Sequence, residues 1–212
     1  CQLLDTDLQE YLRQPINKIH EQLNGCQKKL AEEWNQHKGV AEDFYKDNQA
    51  YLFDLACFNN SPHYWQERMA PLLNWTKYKI LDIGCGIGTT VFVMSEQGNK
   101  VVGWDINKQV IDFARFRKKK YKLGGGFVTE KPNYSKFDLI IAVDVLEHIE
   151  DLRGFLLELG SKVESGTRFY HSDSFPKGEV WPMHFEEHKE KLSEYLKEAG
   201  FVEWDKDWSI KP

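Results

Sequence analysis

The stretch Ile80-Leu81-Asp82-Ile83-Gly84-Cys85-Gly86-Ile87-Gly88-Thr89 constrains this chain more than any other. Its apolar residues, with one acid among them, predict a buried strand. The alternate glycines predict a tight turn, and Thr89-Thr90-Val91-Phe92-Val93-Met94 predicts the start of a helix. A strand that passes through a glycine turn into a helix aims backbone N–H groups and the positive helix end at a ligand. Asp82 narrows the ligand. A carboxylate there attracts an ammonium or hydroxyl group and repels a closely bound pyrophosphate.

Two later runs end in the same way. Lys100-Val101-Val102-Gly103-Trp104-Asp105 and Phe137-Asp138-Leu139-Ile140-Ile141-Ala142-Val143-Asp144 each close an apolar stretch with an acid. A carboxylate at the tip of the second strand is placed to accept both hydroxyls of a ribose. Three strands ending in acids predict one crevice along the carboxyl edge of a parallel sheet.

Taken together, Asp82-x-Gly84-x-Gly86-x-Gly88, then Asp105, then Asp144-Val145-Leu146-Glu147-His148 resembles the Rossmann-like (class I) S-adenosylmethionine-dependent methyltransferases, over roughly residues 75–204. A dinucleotide dehydrogenase fits less well, because G-x-G-x-x-G needs a small residue where Thr89 stands. The resemblance implies an α/β, three-layer fold with a mostly parallel seven-stranded sheet and a terminal antiparallel hairpin. Residues 75–212 would be the cofactor-binding domain, and residues 1–74 a helical extension and lid. It implies S-adenosylmethionine as cofactor and S-adenosylhomocysteine as product. Asp82, Gly84, Cys85 and Gly86 would grip the amino-acid tail, Asp105 the ribose, and Ile106 would lie beside the adenine. Asp144 would sit near the methionine amine. A lid tyrosine, Tyr45 or Tyr51 with Tyr51 preferred, would reach the methionine carboxylate.

The rest of the chain is read around this frame. Apolar residues at Leu8, Leu12, Ile16, Ile19, Leu23, Cys26, Leu30 and Trp34 form one helical stripe, interrupted by Pro15 and Gly25. Thr6-x-x-Gln9 reads as a capping box at its start. The stripe either packs onto the main domain or forms a dimer. Tyr51-Leu52-Phe53-Asp54-Leu55-Ala56 reads as a short helix ended by a turn at 59–62. Asn107 is placed to cap a helix that runs into a basic strip at 115–122. Residues 127–129 read as a short strand, 151–163 as a helix and 167–173 as a strand. Residues 174–185, with Pro176, Gly178 and Pro182, form a loop on the substrate side. A helix at 186–199 leads to a closing hairpin, 201–204 and 208–210.

Methyl transfer from a sulfonium is an in-line displacement, so much of the acceleration comes from alignment. A hydroxyl or amine acceptor must also lose a proton, which a histidine can take near neutral pH. His148 and His184, expected at the mouth of the crevice, lead over His171; each can equally be a capping or solvent-facing residue. A rival metal set, His171-x-Asp173 with His184-x-x-x-His188, lacks strong zinc spacing, and no metal is assigned. The favoured acceptor is a small molecule or a glycan or metabolite intermediate. The alternatives are an RNA or protein methyltransferase docking through 115–122, and a non-catalytic cofactor-binding module. A net charge of −5 disfavours a general nucleic-acid surface. The cysteines form no C-x-x-C pair and no disulfide framework, and no apolar run reaches membrane-span length, so a cytoplasmic monomer or a homodimer through the N-terminal helix is expected. The chain begins with Cys1 rather than Met, which points to a piece of something longer.

Overall fold

A computed structural model describes residues 2–175 and 181–212. Seven strands form one sheet: β1 (Lys79–Ile83), β2 (Lys100–Trp104), β3 (Gly126–Val128), β4 (Leu139–Val143), β5 (Arg168–Ser172), β6 (Val202–Asp205) and β7 (Trp208–Ile210). Their order is β3-β2-β1-β4-β5-β7-β6, with β7 antiparallel to both neighbours and every other pairing parallel. This is the architecture that the resemblance to the class I methyltransferases implies. The chain leaves β1 toward β2 on one side and later returns to β4 on the other. That reversal opens a crevice above the strand ends. Ile83 is in register with Trp104 and with Ala142, so the residues after β1, β2 and β4 emerge at one level.

The central strands are apolar almost throughout because both faces are covered. Ile80, Val101, Leu139 and Ile141 pack with Met69, Leu72 and Val91 on one face. Leu81, Ile83, Ile140 and Phe169 pack on the other with Leu152, Leu156, Leu159 and Leu196. The covering helices are α6 (Thr89–Glu96), α7 (Lys108–Tyr121), α8 (Leu152–Lys162) and α9 (Leu192–Glu198), preceded by α1 (Gln2–Leu12), α2 (Ile16–Leu23), α3 (Cys26–Gln36), α4 (Ala41–Asp47) and α5 (Gln49–Asn59). Pro15 and Gly25, the latter at φ +79°, divide α1, α2 and α3 where the sequence breaks its stripe. Leu8, Ile19 and Cys26 then share a core with Leu52 and Phe53 of α5 and with Val110 and Phe113 of α7. The stripe therefore packs onto the domain.

Some local expectations are corrected. Helix α1 is already running at Thr6, so Thr6 and Gln9 lie inside it and form no capping box. The helix foreseen at 51–56 extends over the whole of α5, capped by the Asn48 side chain accepting from the Tyr51 N–H. A π-helical turn, Tyr64–Met69, follows where no regular element was expected. The helix foreseen at 186–199 begins as 3-10 turns over Glu186–Lys191 and becomes α-helical only at Leu192. Pro176 and Gly178 of the substrate-side loop lie outside the described residues.

Asp54 on α5 is buried, and desolvation pushes its carboxyl up to about 7. A carboxyl near 3.9 in the unfolded chain and near 7 in the fold holds extra protons when folded, so stability falls as pH rises between those values. Asp54→Asn should remove this fall, worth up to roughly 4 kcal/mol above neutrality. Urea unfolding at pH 5 and pH 8 tests it. Parallel pH dependence in wild type and variant would reject the assignment.

Candidate active site

The glycine turn is tied to the tip of β2. The Cys85 N–H donates to the Trp104 carbonyl at 3.1 Å, and the Gly86 N–H donates to Asp105 Oδ2 at 3.0 Å. Gly86 sits at φ +48°, and a Cβ there would stand 2.9 Å from Leu55 of α5. At Gly84, φ +63°, a Cβ would meet Val145 at 2.5 Å. Only glycine allows both the backbone conformation and the close approach of these neighbours.

Asp105 accepts a second backbone bond, from the Asn107 N–H to Oδ1 at 2.8 Å. Burial raises its carboxyl to about 6, while these two N–H bonds pull in the other direction. Each oxygen keeps a lone pair for a ribose hydroxyl. Asn107 is the cap of α7, as expected, accepting from the Gln109 and Val110 N–H groups. Its amide also donates to the Tyr45 and Asn48 carbonyls at 2.7 and 3.1 Å. One buried side chain thus fastens the α4–α5 segment over the tip of β2.

Asp82 is buried, and its Oδ2 has no hydrogen-bond partner among the described residues. Burial, then the charge of Asp105, pushes its carboxyl well above the usual carboxylate range. It faces a cavity of about 40 Å³ that Tyr51, Thr90 and Asp144 also line. Tyr51, Gly84 and Asp144 are shared with a cleft of about 890 Å³ that runs past Trp104, Asp105 and Ile106 in one direction and His148 and Phe155 in another. The two spaces are one groove across the tips of β1, β2 and β4. An unsatisfied buried acceptor at its inner end fits a ligand carrying an ammonium or hydroxyl donor.

Asp144 lies in the groove at φ +49°, its carboxylate held by Arg68 of the π-helical turn in a two-pronged pair at 2.9 and 2.8 Å. Nothing in the sequence spacing marks Arg68, which stands amid the aromatic stretch before β1. Cys85 lines the inner cavity, with its thiol pushed well upward by burial and by Asp105 and Asp82, so it stays protonated. Tyr51 lines both spaces, whereas Tyr45 turns to His148, its hydroxyl 2.8 Å from Nδ1.

The two leading histidines do meet. The His148 and His184 rings pack edge to face at 4.7 Å, and Trp181 stacks on His184 at 5.7 Å. Burial pulls the His148 imidazole down to about 3, His184 adds to the drop, and a hydrogen bond to the Met183 backbone opposes it. So weak a base gains little from taking a hydroxyl proton. Glu147 is fully buried beside them; its Oε1 accepts from the Ser174 N–H at 2.8 Å. His171 instead pairs with Asp173 at 3.0 Å, and His188 meets the Glu150 carbonyl at 3.0 Å. The rival ligand set is therefore spread over separate partners. Among the described residues the group that can share an ion is Glu147, His148 and His184.

Part of the basic strip contacts the rest of the chain, while Arg115, Lys119, Lys120 and Lys122 are exposed. Arg117 and Lys120 reach the buried Asp7 of α1 at 3.5 and 3.0 Å, and Arg115 donates to the Phe127 carbonyl. No helix among the described residues is long and apolar enough to cross a membrane.

Comparison with known proteins places this geometry. The family described as "Methyltransferase domain" matches residues 29–204. A protein of Pelagibacter ubique named ubiquinone biosynthesis O-methyltransferase is 31% identical over 61% of this chain and 55% of its own length. One of the same name from a Bradyrhizobium species is 30% identical over 65% of this chain and 55% of its own length. The chain thus spans about half the length of these relatives. Among solved structures, phosphoethanolamine N-methyltransferase 2 of Haemonchus contortus, in complex with S-adenosyl-L-methionine, shares the fold with a TM-score of 0.62 at 21% identity, over 78% of this chain and 45% of that one. The YcgJ protein of Bacillus subtilis does so with a TM-score of 0.53 at 20% identity, over 63% and 66%.

Proposed function

We propose, for a chain that belongs to the methyltransferase domain family, that its groove binds S-adenosylmethionine and transfers the methyl group to an oxygen of a small metabolite. The observation that carries this is the unpartnered, buried Asp82 oxygen in line with Asp105 along one groove at the strand tips. When bound, the cofactor supplies a methyl group on a positively charged sulfur. Asp105 accepts the ribose hydroxyls with the lone pairs its backbone bonds leave open. Asp82 and the backbone of the turn from Gly84 to Gly86 hold the amino-acid tail. Tyr51 closes the groove from above, with residues 1–74 serving as extension and lid. Ile106 presents an apolar side chain to the adenine.

Beyond the sulfur, the groove leads to His148, Glu150 and Phe155. Tyr45 fixes the ring of His148, which lines the acceptor end of the groove as a neutral side chain, and His184 packs against it. The oxygen acceptor is drawn from the relatives named as O-methyltransferases. Alignment of the two reactants accounts for most of the acceleration.

The test is calorimetric titration with S-adenosylmethionine, followed by a methyl-transfer assay on hydroxyl-bearing metabolites. Binding followed by formation of S-adenosylhomocysteine with a methylated product is expected; absence of binding rejects the reading. His148→Ala should cut turnover by up to about 10²-fold through lost alignment of the acceptor, with little change in cofactor affinity. Equal loss of both would make His148 a structural residue only.

A further inference from the structure

The cluster at the acceptor end has the composition of a metal site. Glu147, His148 and His184 each offer one ligand atom, and these atoms lie within 4.8 Å of one another. Glu147 is fully buried, and its Oε2 has no hydrogen-bond partner among the described residues. Asp144 beside it pairs with Arg68, and Asp173 meets His171 Nδ1 at 3.0 Å. Arg68, the nearby cation, is already paired with Asp144, and Glu147 Oε2 has no hydrogen bond among the described residues; a buried carboxylate oxygen left unpartnered is disfavoured. Neutral imidazole is the form that binds metal.

We propose that Glu147, His148 and His184 bind one divalent transition-metal ion, with an open coordination position that faces the groove and takes the acceptor's oxygen. Two nitrogens and one carboxylate oxygen, with a fourth place free, form the donor set of catalytic rather than structural sites for zinc-like ions. Ligands at about 2.0–2.2 Å from an ion stand about 3–3.5 Å apart, so the cluster contracts by about an ångström on loading. The Tyr45 hydroxyl at His148 Nδ1 is the partner that would orient that ring.

An oxygen bound to a divalent ion loses its proton far more readily than a free one. The hydroxyl's O–H bond breaks, its proton passing to water in the groove. The oxygen lone pair then forms the bond to the methyl carbon, and the electrons of the carbon–sulfur bond remain on sulfur as a neutral thioether. Metal binding stands by itself; this role toward the acceptor rests on the function proposed above.

The test strips the full chain with a chelator and titrates it with Co²⁺, followed by visible absorption, and with Zn²⁺ by calorimetry. Each sample is also titrated with S-adenosylhomocysteine. One ion per chain is expected. Tyr45→Phe, which keeps all three ligands, should weaken it by about 10–100-fold, and His184→Ala or His184→Asn by more. Affinity for S-adenosylhomocysteine should stay as in wild type, which also reports that the variants fold. Failure to take up Co²⁺ and Zn²⁺, or uptake unchanged in both His184 variants, overturns the proposal. A protein that binds S-adenosylhomocysteine but no ion loses only the metal site. One that binds the ion but no S-adenosylhomocysteine loses the methyl-transfer reading and keeps the site.

Discussion

Arg68→Met lowers the stability of this protein by about 3–5 kcal/mol, the cost of breaking a buried ion pair from one side. The Arg68 and Asp144 side chains are 10% and 16% exposed, and two parallel hydrogen bonds join them. Removing the guanidinium leaves a carboxylate at the end of β4, where desolvation already raises its affinity for protons. It also releases a non-glycine residue held at φ +49°, a backbone state that needs support from its surroundings. Arg68→Met with Asp144→Asn removes the stranded charge and should recover much of the loss. Urea unfolding of the two single variants and the double variant measures this. A single-variant loss below about 1 kcal/mol would mean that water satisfies Asp144 and that the pair is not structural.

Gly86→Val reduces affinity for S-adenosylhomocysteine by at least about a hundredfold, equivalent to nearly 3 kcal/mol of binding energy. Two causes act at the same atom. A β-branched residue at φ +48° is a conformational outlier, and its Cβ would lie 2.9 Å from Leu55. Either the turn flips, which breaks the Gly86 N–H bond to Asp105, or α5 moves away with Tyr51. Both alter the wall of the inner cavity. Gly98→Ala is the control, since it too has positive φ but nothing within 4 Å of its Cβ. Calorimetry on both variants decides between a local strain effect and the loss of the cradle. Equal, small effects would count against the cradle.

Much of the fold was legible because its signals are local. A buried strand, a glycine turn and a helix start lie in ten consecutive residues, and the acids after β2 and β4 mark the same edge of the sheet. Asn107 as a cap was legible for the same reason. Its second role, holding the Tyr45 and Asn48 carbonyls, was not, because those residues are distant in sequence. Arg68 was missed because its partner is 76 positions away and the π-helical turn that carries it has no periodic signature. His148 lines the groove and His184 packs against it, but the basicity of His148 was not readable. Burial and a neighbouring ring set it, and both are properties of the packed structure. The same holds for the metal ligands: Glu147 and His148 are adjacent in sequence, yet the third member arrives from beyond β5. In the basic strip Arg115, Lys119, Lys120 and Lys122 lie exposed, as a solvated face would, while Arg117 and Lys120 also reach Asp7, which the run of charge alone does not mark.

A crystal structure with S-adenosylhomocysteine puts the most weight on the central claim. Ribose hydroxyls on Asp105, the amino-acid tail against Asp82 and the Gly84–Gly86 turn, and the sulfur directed toward His148 and His184 are the expected result. A nucleoside found elsewhere, or an Asp82 oxygen still without a donor once the ligand is bound, would contradict it.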